Sequence, residues 1–141
     1  MKLGRILRRD QRGAAAIEAA FALPVLIVMI WMFAQLGNIY RALSGIQMAL
    51  GEGARFATVC TPTALGCTSP TPGEVKTKVE SAVFGTSVGG TFNVPTPTSG
   101  VSGTSRFYDV TITYSQPTSL LLVPGPTINL GRSKRVWIAA S

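Results

Sequence analysis

The longest apolar pattern in the chain is an uncharged run from Ala19 to Tyr40. This run is close to the ~20 residues that an α-helix needs to cross ~30 Å of hydrocarbon. A helical period continues beyond it, since Ile39, Leu43, Ile46 and Leu50 are spaced by four, three and four positions. We therefore expect one long helix over residues 14–57, transmembrane in its first half, whose outer half packs against the rest of the chain.

Residues 58–141 have the pattern of a small head built from short elements. Thr58 to Gly73 is rich in Thr, Pro and Gly, which predicts a surface loop. Pro72-Gly73-Glu74 then opens a short amphipathic helix that stops near Gly85. Its apolar face carries Val75, Val79 and Val83.

Strict alternation marks the clearest strand, Arg106 to Tyr114. One face carries Tyr108, Val110, Ile112 and Tyr114, and the other carries Asp109, Thr111 and Thr113. Shorter strands are predicted at Thr91–Val94, Thr127–Leu130 and Arg135–Ala140, with an apolar segment from Thr118 to Val123 and a turn at Pro124-Gly125-Pro126. The predicted fold class is α+β, with a long N-terminal transmembrane helix extending into a small head that has a short helix and an antiparallel sheet of three or four strands.

Charge is concentrated before the apolar run. The chain of 141 residues has a net charge of +7. Five bases precede Gly13 against the single acid Asp10, and they are Lys2, Arg5, Arg8, Arg9 and Arg12. By the positive-inside bias, residues 1–13 form a cytoplasmic leader and the head lies on the far side of the membrane. In a bacterial inner-membrane protein, that side is the periplasm. Because most of the basicity is this topological signal, and no nucleic-acid-binding motif is present, we expect no nucleic acid partner.

Two cysteines, Cys60 and Cys67, lie beyond the apolar run. On the periplasmic side an even count predicts one disulfide, which stabilises a short loop by roughly 2–3 kcal/mol on the chain-entropy model. A reversed topology would leave them as free thiols. The chain contains no histidine, and two thiols alone do not make a zinc site.

Three residues stand out where the basic flank meets the apolar run. Gly13 precedes Glu18 by five positions, and Glu18 is the one acid close to the start of the span. A carboxylate costs about 2.5–3.5 kcal/mol at the bilayer centre and less near the interface, so such residues usually have a partner. Pro24 removes the hydrogen bond to the carbonyl of Ala20, which predicts a helix hinge.

This junction resembles the processing site of the type IV pilin superfamily. The finer pattern is most similar to TadE-like pseudopilins of the tight-adherence (Flp, type IVb) pilus system, whose members commonly read G-x-x-x-[VI]-E-[FY]-A-x-x-x-P-x-[LF]-L. The matching residues are Gly13, Ile17, Glu18, Ala20, Pro24 and Leu26. The chain departs at Ala19, where an aromatic residue is usual, and has Gln35-Leu36-Gly37 where the family often has an acid-x-Gly element. The resemblance covers about the first 45 residues.

The resemblance implies cleavage by a prepilin peptidase between Gly13 and Ala14. The new α-ammonium of Ala14 would lie one helical turn from Glu18, or near the Glu18 of a neighbouring subunit, and would offset the cost of immersing that carboxylate. The pair would thereby set the axial register between subunits. The implied function is that of a minor pseudopilin-like membrane protein in the biogenesis or assembly of tight-adherence pili. Its implied partners are the lipid bilayer, the prepilin peptidase and other pilus-assembly subunits or pseudopilins that pack along the N-terminal helix.

Catalysis is not expected. Without histidine the chain lacks the commonest general base, its head carboxylates do not converge in the pattern, and no nucleophile motif is present. We therefore expect no enzyme, no cofactor and no metal. Two alternatives remain open: an uncleaved single-span envelope protein with a periplasmic binding module, and a type II secretion pseudopilin.

Overall fold

The computed structural model describes residues 11–59, 61–63, 66–86, 89–120 and 123–138. Helix α1, Gln11–Thr58, contains 48 residues and covers the whole predicted range 14–57. At about 1.5 Å per residue it is about 72 Å long. Every side chain from residue 13 to residue 34 is exposed, whereas the second half of α1 forms one wall of the head.

The predicted apolar stripe on the outer half of α1 packs into the head. Ile46 and Leu50 are buried, and Ile39 and Leu43 are half-buried. The other buried side chains of α1 are those of Ala42, Ala49 and Ala57. Because alanine is small, these positions let neighbouring elements come close to the helix axis.

Helix α1 ends at Thr58, one residue beyond the predicted end, although it contains Gly51 and Gly53 in its last turns. A Cβ atom built on Gly53 would overlap Cγ2 of Val79, so this glycine allows a close helix–helix contact. The packing against Val79 compensates for the low helix propensity of glycine.

Helix α2, Pro72–Ala82, is the predicted short helix and packs on α1. Its N-cap is Thr71, whose hydroxyl accepts a hydrogen bond from the amide of Glu74 at 3.3 Å. The Glu74 carboxylate in turn accepts from the Thr71 amide at 2.7 Å, which completes a capping box. Val75 and Val79 are fully buried on the predicted face.

The segment predicted as a loop between the two helices contains a short antiparallel hairpin. Its strands are β1, Thr61–Thr63, and β2, Gly66–Thr68. Strands of three residues carry too little periodicity to be recognised in a sequence rich in Thr, Pro and Gly.

A four-stranded antiparallel sheet forms the other side of the head. Its strands are β3 (Thr91–Asn93), β4 (Thr98–Ser102), β5 (Ser105–Leu120) and β6 (Val123–Ile138). Strand β5 is central: β6 pairs along one edge, while β3 and β4 pair with different parts of the other edge. The α+β expectation is thus confirmed, and the sheet has the upper of the two predicted strand numbers.

The last two strands of the sheet differ from the prediction. Thr127–Leu130 and Arg135–Ala140 were expected as separate strands after a turn at Pro124-Gly125-Pro126, but Pro124 to Pro126 lie inside the continuous β6. The reversal instead falls between the paired residues Leu120 and Val123. Proline is tolerated here because β6 is an edge strand, where a missing N–H costs no ladder bond on the open side.

The core lies between α1 and the face of the sheet that the alternation predicts. The buried apolar side chains of the sheet are Val94, Tyr108, Val110, Ile112, Tyr114, Val136 and Ile138. Helix α1 contacts both β5 and β6, so these side chains meet the buried stripe of α1 directly. The outer half of α1 is therefore an integral part of the head.

Candidate functional site

The candidate site is the exposed half of α1, beginning at the predicted processing residues. Gly13, Ala14 and Glu18 lie in one continuous helix and are exposed. Ala14 and Glu18 are one turn apart and share a face, a spacing that brings Cβ atoms to about 5–6 Å. Nothing lies within 4 Å of a Cβ built on Gly13, so the head does not cover this position.

Glu18 is included in none of the ion pairs between described side chains. These pairs join Glu52 to Arg55, Glu80 to Lys76, and Asp109 to Arg135. Of the four neighbours of Glu18 along its helix face, Phe21 is large, whereas Ala14, Ala15 and Ala22 are small and leave room for a second helix. The carboxylate is therefore available to a group outside the described part of the chain.

The helix around Glu18 presents a broad apolar surface. Among the described residues, α1 is the helix long and apolar enough to cross a membrane, with a mean hydropathy of 2.2 over its best 18-residue window and no part of that window buried. Its exposed large side chains include Phe21, Ile27, Met29, Trp31 and Phe33. A contiguous apolar surface of this length is not stable in water, and it fits a single-span membrane protein.

Pro24 lies inside α1, and the helix is continuous through it. The i−4 partner of Pro24 is Ala20, whose carbonyl is left without that backbone donor. The predicted hinge at Pro24 stays a prediction, because a single conformation does not show movement.

A contact that the sequence analysis missed joins the exposed half of α1 to the sheet. The indole Nε1 of Trp31 donates to the carbonyl oxygen of Ser119 at 2.9 Å. The side chain of Gln35 bonds the same residue twice: its Nε2 donates to the Ser119 carbonyl, and its Oε1 accepts from the Ser119 amide at 3.2 Å. A glutamine and a tryptophan within an otherwise apolar run were the available signal, since both can hydrogen-bond and are costly to leave unpaired in lipid.

The predicted disulfide joins Cys60 to Cys67, and Cys60 lies outside the described residues. Cys67 belongs to β2, where its backbone is opposite Pro62. The pairing of Cys60 with Cys67 stays a prediction.

Two carboxylates of the head, those of Asp109 and Glu74, accept hydrogen bonds that stabilise the fold. Asp109 lies opposite Arg135 on the outer face of the sheet and accepts hydrogen bonds from Nε and Nη2, both at 2.8 Å. These hydrogen bonds lower the pKa of Asp109 against a small opposing effect of burial, and Coulomb attraction to Arg135 acts in the same direction as the bonds. The same guanidinium stacks 4.0 Å from the ring centre of Phe107, which also contacts Trp137.

The carboxylate of Glu74 is used by the α2 capping box, where hydrogen bonds from the Thr71 amide and hydroxyl lower its pKa. Across the described residues, no three His, Cys, Asp or Glu side chains come together as a metal site. The acids of the described head thus lie on α1 (Glu52), α2 (Glu74 and Glu80) and β5 (Asp109), and the geometry brings none of them to the N-terminal processing residues.

Comparison with known proteins bears on helix α1. No curated protein and no solved structure matches the chain. The model of the TadE-like protein family matches residues 13–55, which begin at Gly13 and end near the end of α1. The match confirms the resemblance drawn from Gly13, Glu18 and Pro24, while the head from residue 56 onwards lies outside it. Over residues 13–55 the chain is similar to TadE-like proteins, which is consistent with a membrane protein associated with the tight-adherence pilus machinery.

Proposed function

We propose that this protein is a minor pseudopilin-like subunit that acts in the biogenesis or assembly of tight-adherence pili after a prepilin peptidase removes residues 1–13. The observation that carries the proposal is the division of α1: its outer half is buried in the head, and its first half, which holds Gly13 and Glu18, is wholly exposed. The family match covers both halves. An exposed apolar helix attached to a folded head is suited to pack in lipid before assembly and against other helices afterwards.

Charge distribution supports an orientation with the N-terminus in the cytoplasm. The bases Lys2 to Arg12 precede the exposed helix, and the head follows it in the periplasm. In this orientation the Gly13–Ala14 bond lies at the cytoplasmic end of the span, where a membrane peptidase reaches it without crossing the bilayer.

Cleavage also supplies a partner for the carboxylate of Glu18, which has no ion pair with another described side chain. An α-ammonium at Ala14 about 5–6 Å away contributes about 3 kcal/mol of attraction at an effective dielectric of ~20. That is similar to the cost of about 2.5–3.5 kcal/mol for a charge at the bilayer centre. The amine of one subunit and Glu18 of its neighbour make the same pair between chains, which gives assembly a defined axial offset.

The proposal assigns no catalytic role to the chain. Its partners are the bilayer, the prepilin peptidase and other pilus subunits that pack along α1, and its function depends on packing. The alternative is an uncleaved anchor that carries a periplasmic binding module.

The first test is the mass of the mature protein in its native host. We expect loss of residues 1–13 and a new N-terminus at Ala14. Gly13→Ala should leave the leader in place, because a methyl group enters the peptidase pocket beside the scissile bond. Gly37→Ala is the matched control, since nothing lies within 4 Å of a Cβ at either position. A functional protein that retains its leader would refute the proposal and favour the uncleaved anchor.

The second test replaces Glu18 by valine. The variant should insert in the membrane and be cleaved, because its apolar surface increases, but it should fail to co-purify with pilus subunits or to support piliation. Glu52→Gln is the control, as it removes a carboxylate from the same helix within the head. Normal piliation by the Glu18→Val strain would refute the register pair.

A further inference from the structure

The end of the β5–β6 hairpin, whose described residues are 116–120 and 123–128, lies beside the membrane-spanning half of α1. Strand β3 pairs with β5 only as far as Ser115. Beyond Ser115, β6 is the only described strand that pairs with β5. Its end is held by the hydrogen bonds from Trp31 and Gln35 to the backbone of Ser119. The position of these bonds along α1 therefore fixes the depth of the hairpin relative to the bilayer.

The uncharged run by itself places the hairpin too deep. If the hydrocarbon covered Ala19 to Tyr40, Trp31 would lie about 14 Å below the outer boundary, close to the middle of a ~30 Å layer. Side chains bond the backbone of Pro117, Ser119 and Pro126, but no described strand pairs with the outer edges of the hairpin end, so these edges would lie open in the lipid. Open sheet edges do not occur in the hydrocarbon, because each unsatisfied backbone group costs several kcal/mol there.

This conflict disappears if the hydrocarbon layer lies closer to the N-terminus of α1, between Gly13 and Trp31. From Gly13 to Trp31 the helix rises about 28 Å, which also matches the hydrocarbon thickness. Arg12 then lies at the inner boundary, and Trp31 lies at the outer interface, where tryptophan is enriched. Glu18 falls about 8 Å inside the inner boundary, at a lower cost than at the centre.

We propose that the span is Gly13–Trp31 and that the end of the β5–β6 hairpin rests on the outer surface of the membrane, in contact with phospholipid. The inference rests on the single span and does not require leader cleavage or pilus assembly.

A groove between α1 and the hairpin end fits this lipid contact. It has a volume of about 590 Å³, and its apolar lining includes Met29, Met32, Phe33, Leu36, Pro126 and Ile128. The groove is continuous with the exposed apolar surface of the span, and Phe33 is 65% exposed. Phe33 and Leu36 lie within about 8 Å of Trp31 along the axis, which is close to the ~5–8 Å depth of the headgroup layer on each side. Lipid therefore covers apolar side chains that the head leaves open.

Quenching of tryptophan fluorescence by brominated phospholipid measures this depth. The full chain carrying Trp137→Phe keeps Trp31 as its only tryptophan and is placed in vesicles whose acyl chains carry bromine either near the carbonyl end or near the methyl end. Our inference predicts a larger loss of Trp31 emission with the shallow bromines. A larger loss with the deep bromines would place Trp31 near the bilayer centre and overturn the inference.

A second probe reports on the hairpin itself. In the same Trp137→Phe background, which keeps the bond from Trp31 to Ser119, Val123→Trp adds a second probe beside the hairpin end, and Val101→Trp adds one at the opposite end of the sheet. Both valines are exposed, at 58% and 68%, so neither change disturbs the core. We expect shallow bromines to quench the probe at Val123 and not the probe at Val101. Equal emission from the two variants would show that the hairpin does not contact the membrane and would overturn the inference, whatever the state of the leader.

Discussion

Replacing Gly45 by alanine tests how closely the head packs on α1. Gly45 lies on the buried side of α1 against the segment that follows α2. A Cβ built there would lie closer than 3.0 Å to the carbonyl oxygen of Phe84. Because the obstructing atom belongs to the backbone, no side-chain rotation relieves the overlap. The segment is also held at Gly85, whose φ of +89° and proximity to the carbonyl of Arg41 leave little room for adjustment.

Two opposing effects determine how much Gly45→Ala changes the free energy of unfolding. Alanine improves helix propensity over glycine by about 1 kcal/mol in a helix interior. Overpacking against a fixed neighbour costs about 1–3 kcal/mol. Gly51→Ala is the matched control, because nothing lies within 4 Å of a Cβ at that position and only the favourable effect applies. The free energies of unfolding of the two variants should therefore differ by about 1–3 kcal/mol, with Gly45→Ala the less stable.

Thermal unfolding of the full chain in detergent, followed by near-ultraviolet circular dichroism of the buried tyrosines, measures this difference. For a domain of this size 1 kcal/mol corresponds to about 4–8 °C in Tm. Gly51→Ala should raise Tm by about that amount, and Gly45→Ala should melt at least ~4 °C below Gly51→Ala. An equal rise in Tm for both variants would show that Phe84 does not pack on α1 as described.

Two further predictions concern polar contacts in the head. Thr71→Ala removes the N-cap of α2 and should lower the free energy of unfolding by about 0.5–2 kcal/mol, as measured by urea denaturation. An unchanged urea midpoint would contradict the capping box. The pKa of Asp109 is lowered by Arg135, so this contact stabilises the fold above the unfolded pKa of ~4 and is lost as pH falls through the folded value. Between pH 6 and a pH below about 4, the wild-type protein should therefore lose more free energy of unfolding than the Asp109→Asn variant. Equal losses in the two proteins would contradict the contact.

The elements with a sustained period were predictable from sequence. The apolar run and the stripe through Ile46 and Leu50 predict α1, and the alternation from Tyr108 to Tyr114 predicts the central part of β5 with its buried face. In both, many consecutive residues repeat the same pattern, so one atypical residue does not change the prediction. The Gly13, Glu18 and Pro24 pattern likewise led to the family that the comparison then matched.

The unpredicted features depend on partners that are distant in sequence. Pro124 to Pro126 have the composition of a turn, but the pairing of β6 with β5 carries the strand through them, with a register irregularity between Pro117 and Ser119. Gly100 offers another example, since its strand β4 has little apolar pattern and yet packs against the ring of Phe107 across the sheet. Such contacts are formed only after β5 has its place in the sheet, and therefore no local pattern reports them.

The hydrogen bonds to Ser119 determine which parts of the molecule a hinge at Pro24 would separate. From Trp31 onwards α1 is tied to the head, first through Trp31 and Gln35 and then through the core that begins at Ala42. Pro24 lies about 10 Å before Trp31, on the side that faces Glu18, and it is the proline within α1. Since a helix bends most easily where an i−4 hydrogen bond is missing, we expect any change of angle between the Glu18 end and the head to be concentrated at Pro24. The head and the outer half of α1 would then move as one body, while the first helical turns would keep the orientation that the proposed Ala14–Glu18 register pair requires.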